Sequence, residues 1–489
     1  MSTIAKQNYR GRYHFSPQRN WMNDPNGLVY FDGEYHLFFQ HHPYGTTWGP
    51  MHWGHAVSKD LVRWEELDIA LAPDENGMIF SGSVVVDWHN TAGFFGEGPG
   101  LVAIFTHNRE AEGNSPKQAQ SLAYSRDKGR TWTKYEGNPV LVHDASADFR
   151  DPKVFWHEAT RRWVMVVACG QTIGLYHSPD LKAWTLGSEF GSGTGFHGGV
   201  WECPDLFPLA VDGDAARTKW VMLVSVGDDP AYPEGSRTQY FTGDFDGVTF
   251  TPDEDSHVVR WLDGGRDNYA GVTWSDVPAE DGRRLFIGWM SNWKYANLTP
   301  TEDFRGAMTV PRELGLERRN GIEILVQRPA RELRRVRIPV LALANVGKRE
   351  VEAALRALRL ESYELIAEVP SSISFAFQMR TGGGQETVVG VDAVRGEVYV
   401  DRTKSGRHEF HEQFRGVHRA KLLAVGERLD LHVCVDRSSV EVFANGGQAV
   451  ITDLIYPDSA SAGISLAAEE NDFRLISLAI YELAPPVAE

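Results

Sequence analysis

The sequence predicts an all-β protein, a five-bladed β-propeller followed by a C-terminal β-sandwich. Three observations support this prediction. A hairpin pattern recurs five times over the first two thirds of the chain, at a spacing of roughly 50 to 70 residues. A Ser/Thr-x-Asp turn that leads to an aromatic residue follows four of the five hairpins. From about Tyr363 onward, short strands alternate with glycine-rich turns, which is typical of a sandwich.

The first hairpin consists of Gly27–Phe31 and Tyr35–Gln40, two apolar runs that are joined by Asp32-Gly33. Asp-Gly between alternating apolar runs is a strong signal for a tight hairpin turn. Directly before this hairpin, Trp21–Gly27 is rich in the turn residues Asn, Asp, Pro and Gly. The pattern therefore places Asp24 just before a strand, where a sheet can present a reactive carboxylate.

Four later hairpins and their outer strands complete the propeller pattern. The hairpins are Ser83–Asp87 with Leu101–His107, Lys153–Trp156 with Trp163–Gly170, Asp205–Leu209 with Lys219–Gly227, and Gly271–Trp274 with Leu285–Met290. The turn markers are Ser58–Trp64, Ser125–Trp132, Ser178–Trp184 and Thr242–Phe250. In the fifth unit, Gly306–Glu313 and Ile322–Gln327 are predicted as the outer strands. Five four-stranded sheets arranged radially make a propeller, and the lack of long helical periodicity argues against a βα barrel.

We predict three segments: a propeller over 8–330, a connection with a short helix over 331–360, and a sandwich over 361–489. The helix is predicted because Lys348–Leu360 is rich in Ala, Glu, Leu and Arg. The sandwich strands are predicted at Ser372–Met379, Thr387–Asp392, Glu397–Asp401, Arg428–Asp436, Ser439–Ala444 and Ala462–Ala467. The sandwich is expected to serve packing, with help in homo-oligomer formation or substrate binding left open.

Composition excludes several classes of function. The formal net charge is -17 and no long basic tract occurs, which argues against nucleic acid and anionic membranes as partners. Three cysteines provide neither a disulfide framework nor a paired metal signature, so we predict no metal and no cofactor. No transmembrane run is present, and Met1–Arg10 lacks the apolar core of a signal peptide. A cytoplasmic protein is expected, or a secreted one if a leader has been removed.

Three acids stand just before the first strand of a unit, in Asn23-Asp24-Pro25, Arg150-Asp151-Pro152 and Glu202-Cys203-Pro204. Units two and five carry Phe80-Ser81-Gly82 and Asp267-Asn268-Tyr269 at this place. The innermost strands of a propeller run along its axis, so their starts converge on one pocket. Crowded carboxylates separate into ionised and protonated roles, which suits hydrolysis of a glycosidic bond. A site for a hard cation is the rival interpretation, although no His-rich or Asp-x-Asp spacing supports it.

Several ordered segments resemble the signature motifs of glycoside hydrolase family 32, the β-fructofuranosidases. They are Trp21–Gly27, Phe80–Ser83, Phe149–Pro152, Trp201–Asp205 and, in the sandwich, Asp436–Phe443. The resemblance implies a retaining glycoside hydrolase that acts through a covalent fructosyl-enzyme. It would release terminal β-D-fructofuranosyl units from sucrose, fructooligosaccharides or the fructans inulin and levan.

The resemblance also implies a role for each matching residue. Asp24 would be the nucleophile, Glu202 the general acid and then the base, and Asp151 the residue that holds fructose hydroxyls. A retaining enzyme needs the Asp24 and Glu202 carboxyl groups about 5 to 5.5 Å apart. The residues that the family places around the terminal fructose are Asn23, Gln40, Trp48, Phe80, Ser81, Arg150 and Trp293. Strand-end hydrogen bonding for Gln40 and Ser81, and core packing for the two tryptophans, are the structural alternatives.

Within the family, Gly288–Ala296, Arg305–Met308 and Gly198–Trp201 are most similar to exo-acting levanases and inulinases. Asn268 departs from the pattern, because many members carry Phe before Tyr269. Four alternatives remain open: a fructosyltransferase that uses the same intermediate, a sucrose-preferring invertase, a non-catalytic fructan-binding propeller, and an inverting propeller hydrolase of arabinose polymers.

Overall fold

The computed structural model describes residues 9–109, 117–143, 145–423, 425–468 and 473–484. Residues 1–8, which belong to the stretch considered for a signal peptide, lie outside the described residues, and so do residues 485–489 of the predicted sandwich. Within the described part of the chain, none of the helices is long and apolar enough to cross a membrane. The architecture is all-β, as the sequence predicts.

The first three blades are separate antiparallel sheets. Blade I contains β1 (Asn20–Phe31), β2 (Glu34–His42), β3 (His52–Ser58) and β4 (Glu65–Leu71). Blade II contains β5 (Met78–Asp87), β6 (Gly100–Arg109), β7 (Lys117–Ser125), β8 (Thr133–Lys134) and β9 (Leu141–Val142). Blade III contains β10 (Phe149–His157), β11 (Arg162–Cys169), β12 (Thr172–Ser178) and β13 (Thr185–Phe190). The tight turn predicted at Asp32-Gly33 joins β1 to β2, and both residues have positive φ.

Blades IV and V share one sheet because a single parallel bridge joins Val211 to Leu316. Blade IV contains β14 (Trp201–Val211), β15 (Asp214–Val226), β16 (Arg237–Phe245), β17 (Phe250–Pro252) and β18 (Arg260–Trp261). Blade V contains β19 (Tyr269–Thr273), β20 (Arg284–Trp289), β22 (Arg312–Arg319) and β23 (Ile322–Pro329). The short strand β21 (Phe304–Arg305) instead pairs with β1 of blade I, and the 3₁₀ helix Ala296–Leu298 precedes it.

The third strand of blade V begins later than predicted. We expected a strand over Gly306–Glu313, whereas β22 starts at Arg312. Gly306 has φ +98, a conformation that favours glycine, and Pro311 has no N–H for a ladder. Between them, Met308 N donates to the carbonyl of Phe15 instead. This segment therefore ties down the N-terminal part of the chain.

The first strands of the five blades form a closed ring around the axis. β1 contacts β5 and β19, β10 contacts β5 and β14, and β14 contacts β19. Each of these five strands carries a register shift near its start. In blade I, for example, Met22 pairs with His41 and Pro25 with Phe39, so two residues of β1 oppose one residue of β2. Such a β-bulge bends a strand and re-aims its side chains, here at one end of the ring.

The predicted turn markers form one recurring structure in the first three blades. In blade I, the Asp60 carboxylate accepts backbone N–H bonds from Val62 and Arg63, and Trp64 donates to the carbonyl of Leu61. The equivalent bonds recur at Asp127 with Trp132 and at Asp180 with Trp184. In blade IV the marker differs from the prediction. There Asp246, rather than Asp244, accepts the backbone N–H bonds that close the turn.

The sandwich consists of two antiparallel sheets that enclose one apolar core. The first sheet has the order β24 (Arg337–Gly347), β34 (Arg474–Leu483), β25 (Tyr363–Pro370), β30 (Arg428–Asp436), β31 (Ser439–Ala444) and β32 (Ala449–Leu454). The second has the order β29 (Val417–Lys421), β28 (Glu397–Lys404), β27 (Gln385–Asp392), β26 (Phe375–Gly382) and β33 (Gly463–Ala468).

The connection between the domains is shorter than the predicted 331–360. Only the 3₁₀ helix Arg331–Val336 lies between blade V and the sandwich. β24 pairs with β34 as an edge strand, and α1 (Lys348–Arg356) buries Val351 and Leu355 in the sandwich core. The pattern did not indicate β24 because an edge strand exposes one face. Its Ile338, for instance, is half exposed.

Candidate active site

The bulges of three first strands bring Asp24, Asp151 and Glu202 to one end of the ring. Their register positions are not equivalent. Glu202 is the last paired residue before the bulge of β14. Asp151 is the first of the two bulged residues of β10, and Asp24 is the second of the two bulged residues of β1. The acids therefore approach one another from different heights of the strands, a difference that aligning the three triplets in sequence did not reveal.

Asp24 is held by neutral donors. Its Oδ2 accepts a 2.7 Å hydrogen bond from Ser81 Oγ, and its Oδ1 accepts a 3.0 Å bond from Asn23 Nδ2. Asn23 is itself oriented by Trp21, whose Nε1 donates to Asn23 Oδ1 at 2.7 Å. Burial and the nearby charge of Glu202 raise the pKa of Asp24 to about 6, although these hydrogen bonds oppose the rise.

Asp151 and Asp24 meet at Cys203. The backbone N–H of Cys203 donates to Asp151 Oδ2 at 3.0 Å, and the Cys203 thiol lies 3.5 Å from Asp151 Oδ2 and 3.6 Å from Asp24 Oδ2. Burial raises the pKa of the thiol well above its usual value, so it stays protonated and acts as a weak donor to both acids. Burial raises the pKa of Asp151 to about 7. The Arg150 charge lowers it, while Glu202 and Asp24 raise it further.

Glu202 receives donors on both oxygens. Arg150 donates to Oε1 from Nη2 at 2.9 Å and from Nε at 3.3 Å. The Tyr269 hydroxyl donates to Oε2. Burial, together with the Glu202 charge, raises the pKa of Tyr269 well above its usual value, so the hydroxyl remains a donor. Arg150 is fixed from behind by Asp148 and by Gln118 Oε1.

The remaining predicted binding residues surround these acids. Gln40 Nε2 donates to Asn26 Oδ1 at 2.9 Å, and Asn26 Nδ2 donates to the backbone carbonyl of Asp24 at 2.8 Å. Trp48 is 42% exposed, and its ring meets Phe80 edge-on at 6.2 Å. Gln40 thus makes a side-chain hydrogen bond within the sheet, and the Trp48 ring is exposed rather than packed in a core. Their roles in binding stay predictions.

An aromatic cluster lies beside the acids. Trp293 stacks on Trp21 with ring centroids 6.0 Å apart and contacts Trp289 at 4.8 Å. Phe80 and Trp293 both pack against the buried cluster that contains Cys203 and Tyr269. A partly exposed Trp293 on a buried aromatic base offers a rigid apolar face beside the carboxylates.

Sequence reasoning missed two residues that touch the acids, Cys203 and Tyr269. Both lie in triplets that the repeat alignment brought to the same place, and that alignment was the available signal. Asn268 has a different orientation from its neighbour Tyr269. Its Nδ2 donates to Asp263 Oδ2 at 3.2 Å, and the side chain is buried.

The sandwich holds the segment that leads into Tyr269. Gly264 and Arg266 donate backbone N–H bonds to Val450 and Thr452 of β32. One residue further, Asp267 is buried against Arg402 of the sandwich, with Nη1 2.6 Å from the carboxylate. This ion pair anchors the start of β19, and therefore the donor to Glu202, to the second domain.

The motif Asp436–Phe443 forms a second buried link between the domains. His14 Nδ1 lies 2.8 Å from Asp436 Oδ2, and its Nε2 lies 2.8 Å from Glu441 Oε1. Burial lowers the pKa of His14, but these two carboxylates outweigh it and raise the pKa to about 9. Arg312 of blade V also pairs with Glu441. The motif thus secures the interface and lies apart from the three acids.

One group in the described part of the chain has metal-ligand chemistry, Glu364 with His432 and Cys434 in the sandwich. The Glu364 carboxylate already pairs with the Arg337 guanidinium. A fixed cation at that carboxylate opposes binding of a metal cation there.

Two family models match the chain. The glycosyl hydrolases family 32 N-terminal domain matches residues 14–329, and the glycosyl hydrolases family 32 C-terminal domain matches residues 334–482. Among solved structures, exo-inulinase from Aspergillus awamori superimposes with a TM-score of 0.88 at 36% identity, covering 98% of this chain and 99% of that one.

The chain is also similar to two levanases and an exo-inulinase. It is 51% identical to a levanase of Bacillus subtilis (strain 168) over 99% of this chain and 71% of that protein. It is 42% identical to a levanase of Bacillus sp. (strain L7), of which it covers 52%. An extracellular exo-inulinase, inuE, of Aspergillus niger is 39% identical over 93% of this chain and 90% of that protein.

Proposed function

Because the chain belongs to glycosyl hydrolase family 32, we propose that it is an exo-acting β-fructosidase that removes terminal β-D-fructofuranosyl units from fructans with retention of configuration. Sucrose and fructooligosaccharides carry the same terminal unit and are substrates of the same site. The observation that carries the proposal is the convergence of Asp24, Asp151 and Glu202 at one end of the propeller axis. The levanase and exo-inulinase relatives favour fructans over the alternatives.

In the proposed first step, an Asp24 oxygen attacks the anomeric carbon while Glu202 donates its proton to the glycosidic oxygen. The bond to the leaving group breaks, and an ester forms between fructose and Asp24. Asp151 accepts hydrogen bonds from fructose hydroxyls and stabilises the positive charge of the transition state.

In the second step, Glu202 removes a proton from water, which attacks the same carbon and releases fructose and the Asp24 carboxylate. Two inversions at this carbon give net retention.

The proton distribution of the free site differs from the one that this scheme needs. With pKa values of about 6 for Asp24 and about 7 for Asp151, the carboxylates share protons near neutral pH. Catalysis requires Asp24 ionised and the proton on Glu202. We propose that substrate hydroxyls, by donating to Asp24 and Asp151, favour this distribution in the complex.

The assignment of Asp24 is tested by Asp24→Asn, with Asp68→Asn on the exposed face of β4 as the matched control. We expect the first variant to lose at least about 10⁴ in kcat on inulin, levan and sucrose, since the amide is not a nucleophile. Fructose release by Asp24→Asn at near the unmodified rate would refute the assignment.

Glu202→Ala tests the acid role. The leaving group of an activated aryl fructoside needs no protonation. Hydrolysis of this substrate should therefore be slowed far less by Glu202→Ala than hydrolysis of inulin. Equal losses on both substrates would count against protonation by Glu202. NMR of fresh product reports the anomer, and an inverted product would contradict the proposed mechanism.

Substrate preference is tested by comparing kcat/KM on sucrose, short inulin oligomers, inulin and levan. We expect turnover of the fructans, whereas activity confined to sucrose would favour an invertase. Dominant oligosaccharide synthesis at high sucrose would favour a fructosyltransferase. A cytoplasmic location and a homo-oligomeric state stay predictions, to be checked by cell fractionation and light scattering.

A further inference from the structure

A second cavity opens at the opposite end of the propeller axis from the three acids. Its volume is about 490 Å³, which lies within the usual range for ligand sites. β10 and β14 each present an acid near their start and line this cavity further along, at Phe155 and Phe207. The lining residues nearest to the acids in sequence are Lys153 and Asp205, which follow the bulges of β10 and β14. None of the three acids lines the cavity, which is therefore distinct from the candidate active site.

Aromatic side chains form the walls of this cavity. Trp88, Trp156, Trp220 and Phe207 line it. Trp88 is 55% exposed, and its indole is oriented by a 2.8 Å bond from Nε1 to Asp276 Oδ1. An exposed tryptophan held in one orientation is a ready stacking surface for a ligand with an apolar face.

The interior of the cavity holds charged groups with unused hydrogen-bonding capacity. Asp205 is fully buried, and its Oδ1 has no hydrogen-bond partner among the described residues. Its Oδ2 accepts from the backbone and hydroxyl of Thr273, with Lys153 Nζ 3.5 Å away. Among the described residues, the guanidinium of Arg284 makes a single hydrogen bond, of 3.5 Å, to the Trp274 carbonyl. A buried carboxylate oxygen without a hydrogen bond costs free energy. Binding of a ligand that supplies a hydrogen-bond donor to this oxygen is therefore favoured.

The chemistry of these groups narrows the class of ligand. The lining holds two cations, Lys153 and Arg284, and three carboxylates, Asp205, Asp276 and Glu158, so it does not favour an anionic ligand. An anion would pair with Arg284 but would be repelled by the unpaired oxygen of Asp205. Hydroxyl groups donate to the carboxylate and accept from the guanidinium, and sugar rings stack on indoles.

We propose that this cavity is a second carbohydrate site, which binds the end of a neutral fructan chain and holds the polymer on the enzyme. The proposal rests on the proposed function for the identity of the sugar. A polymer held at one site raises the local concentration of its other chain ends at the active site. Sucrose, which has no further chain ends, gains nothing from such tethering.

Binding is tested in the full chain carrying Asp24→Asn and 5-fluorotryptophan, titrated with a short inulin-type fructooligosaccharide and followed by ¹⁹F NMR. The Trp88 and Trp156 resonances, assigned by single substitutions, should shift saturably, and Arg284→Met should weaken the response at least about fivefold. Movement confined to the Trp48 and Trp293 resonances would overturn the proposal. An equal response to a cello-oligosaccharide would overturn the assignment to fructan.

Kinetics of the otherwise unmodified enzyme provide the second test. We expect Trp88→Ala to raise KM on inulin or levan at least about threefold with sucrose kinetics unchanged, and Trp88→Phe to restore most of the loss. Ile69→Ala, at an exposed apolar side chain of blade I, is the matched control. Unchanged KM on both polymers would refute the tethering role. If the unmodified chain hydrolysed no fructan at all, the proposed function would be refuted instead. Failure of the tethering role and failure of the proposed function are therefore distinguishable.

Discussion

Replacing Asp24 by Asn should make the protein more stable at neutral pH while it abolishes turnover. Burial and the Glu202 charge raise the pKa of Asp24 from 3.8 to about 6 in the folded chain. A carboxyl group whose pKa is raised by folding stabilises the fold while it is protonated. That contribution is full below about pH 4 and is lost as the pH rises through 6. The amide side chain of the Asp24→Asn variant does not titrate, so the variant avoids this loss.

The magnitude follows from the two pKa values. The interval from 3.8 to about 6 corresponds to about 3 kcal/mol at about 1.4 kcal/mol for each tenfold change. About 2 kcal/mol of this stabilisation is lost between pH 4.5 and pH 7.5. Hydrogen bonds that the amide forms differently with Ser81 and Asn23 alter stability at both pH values, so they largely cancel in the comparison. For a chain of this size, 2 kcal/mol changes Tm by about 2 °C.

Differential scanning calorimetry at the two pH values measures the effect. The Tm of Asp24→Asn minus that of the unmodified protein should be about 2 °C larger at pH 7.5 than at pH 4.5. Asp68→Asn, which removes one exposed charge from β4, controls for the change in net charge. A difference for Asp24→Asn that is the same at both pH values, or smaller at pH 7.5, would refute the reasoning that burial strains the ionised carboxylate.

Three further predictions follow from the same contacts. Activity, measured as kcat/KM on sucrose, should fall below about pH 6 because Asp24 becomes protonated; full activity at pH 4.5 would contradict the raised pKa. Tyr269→Phe removes the hydroxyl that donates to Glu202 and should lower kcat about 10- to 100-fold with an unchanged Tm; a Tm loss that accounts for the activity loss would indicate a packing role alone. Arg402→Met leaves Asp267 as an unpaired buried carboxylate and should cost about 3 to 5 kcal/mol of stability, seen as a lower Tm. The exposed Arg395→Met is its control, and equal Tm values for these two variants would show that the ion pair is dispensable.

Much of the fold was accessible from local patterns. The Asp32-Gly33 turn, the Ser-x-Asp markers of the first three blades and the alternating strands of the sandwich each depend on residues close together in sequence. Local patterns failed where backbone geometry or an edge position decided the outcome. Because of Gly306 and Pro311, the third strand of blade V begins later in the sequence than predicted. The pattern did not indicate β24 because one face of this edge strand is exposed to solvent.

For the three acids too, local sequence patterns predicted one part of the arrangement and the tertiary structure decided the other. Repetition of an acid before the first strand identified Asp24, Asp151 and Glu202 as candidates, but their order around the bulges follows from strand register. The pairing of Tyr269 with Glu202 joins residues of neighbouring blades, 67 positions apart. A single sequence carries no signal for such a contact.

By itself, the sequence determined the all-β class, the five-unit repeat, the family motifs and the three acids, because strand alternation and turn chemistry act over a few neighbouring residues. Only the tertiary structure decided which donors hold each acid, how the sandwich anchors Asp267 through Arg402, and that a second cavity lies at the far end of the axis. The physical reason is that hydrogen bonds, burial and shifted pKa values depend on distances between chain segments that only closure of the ring and docking of the two domains bring together.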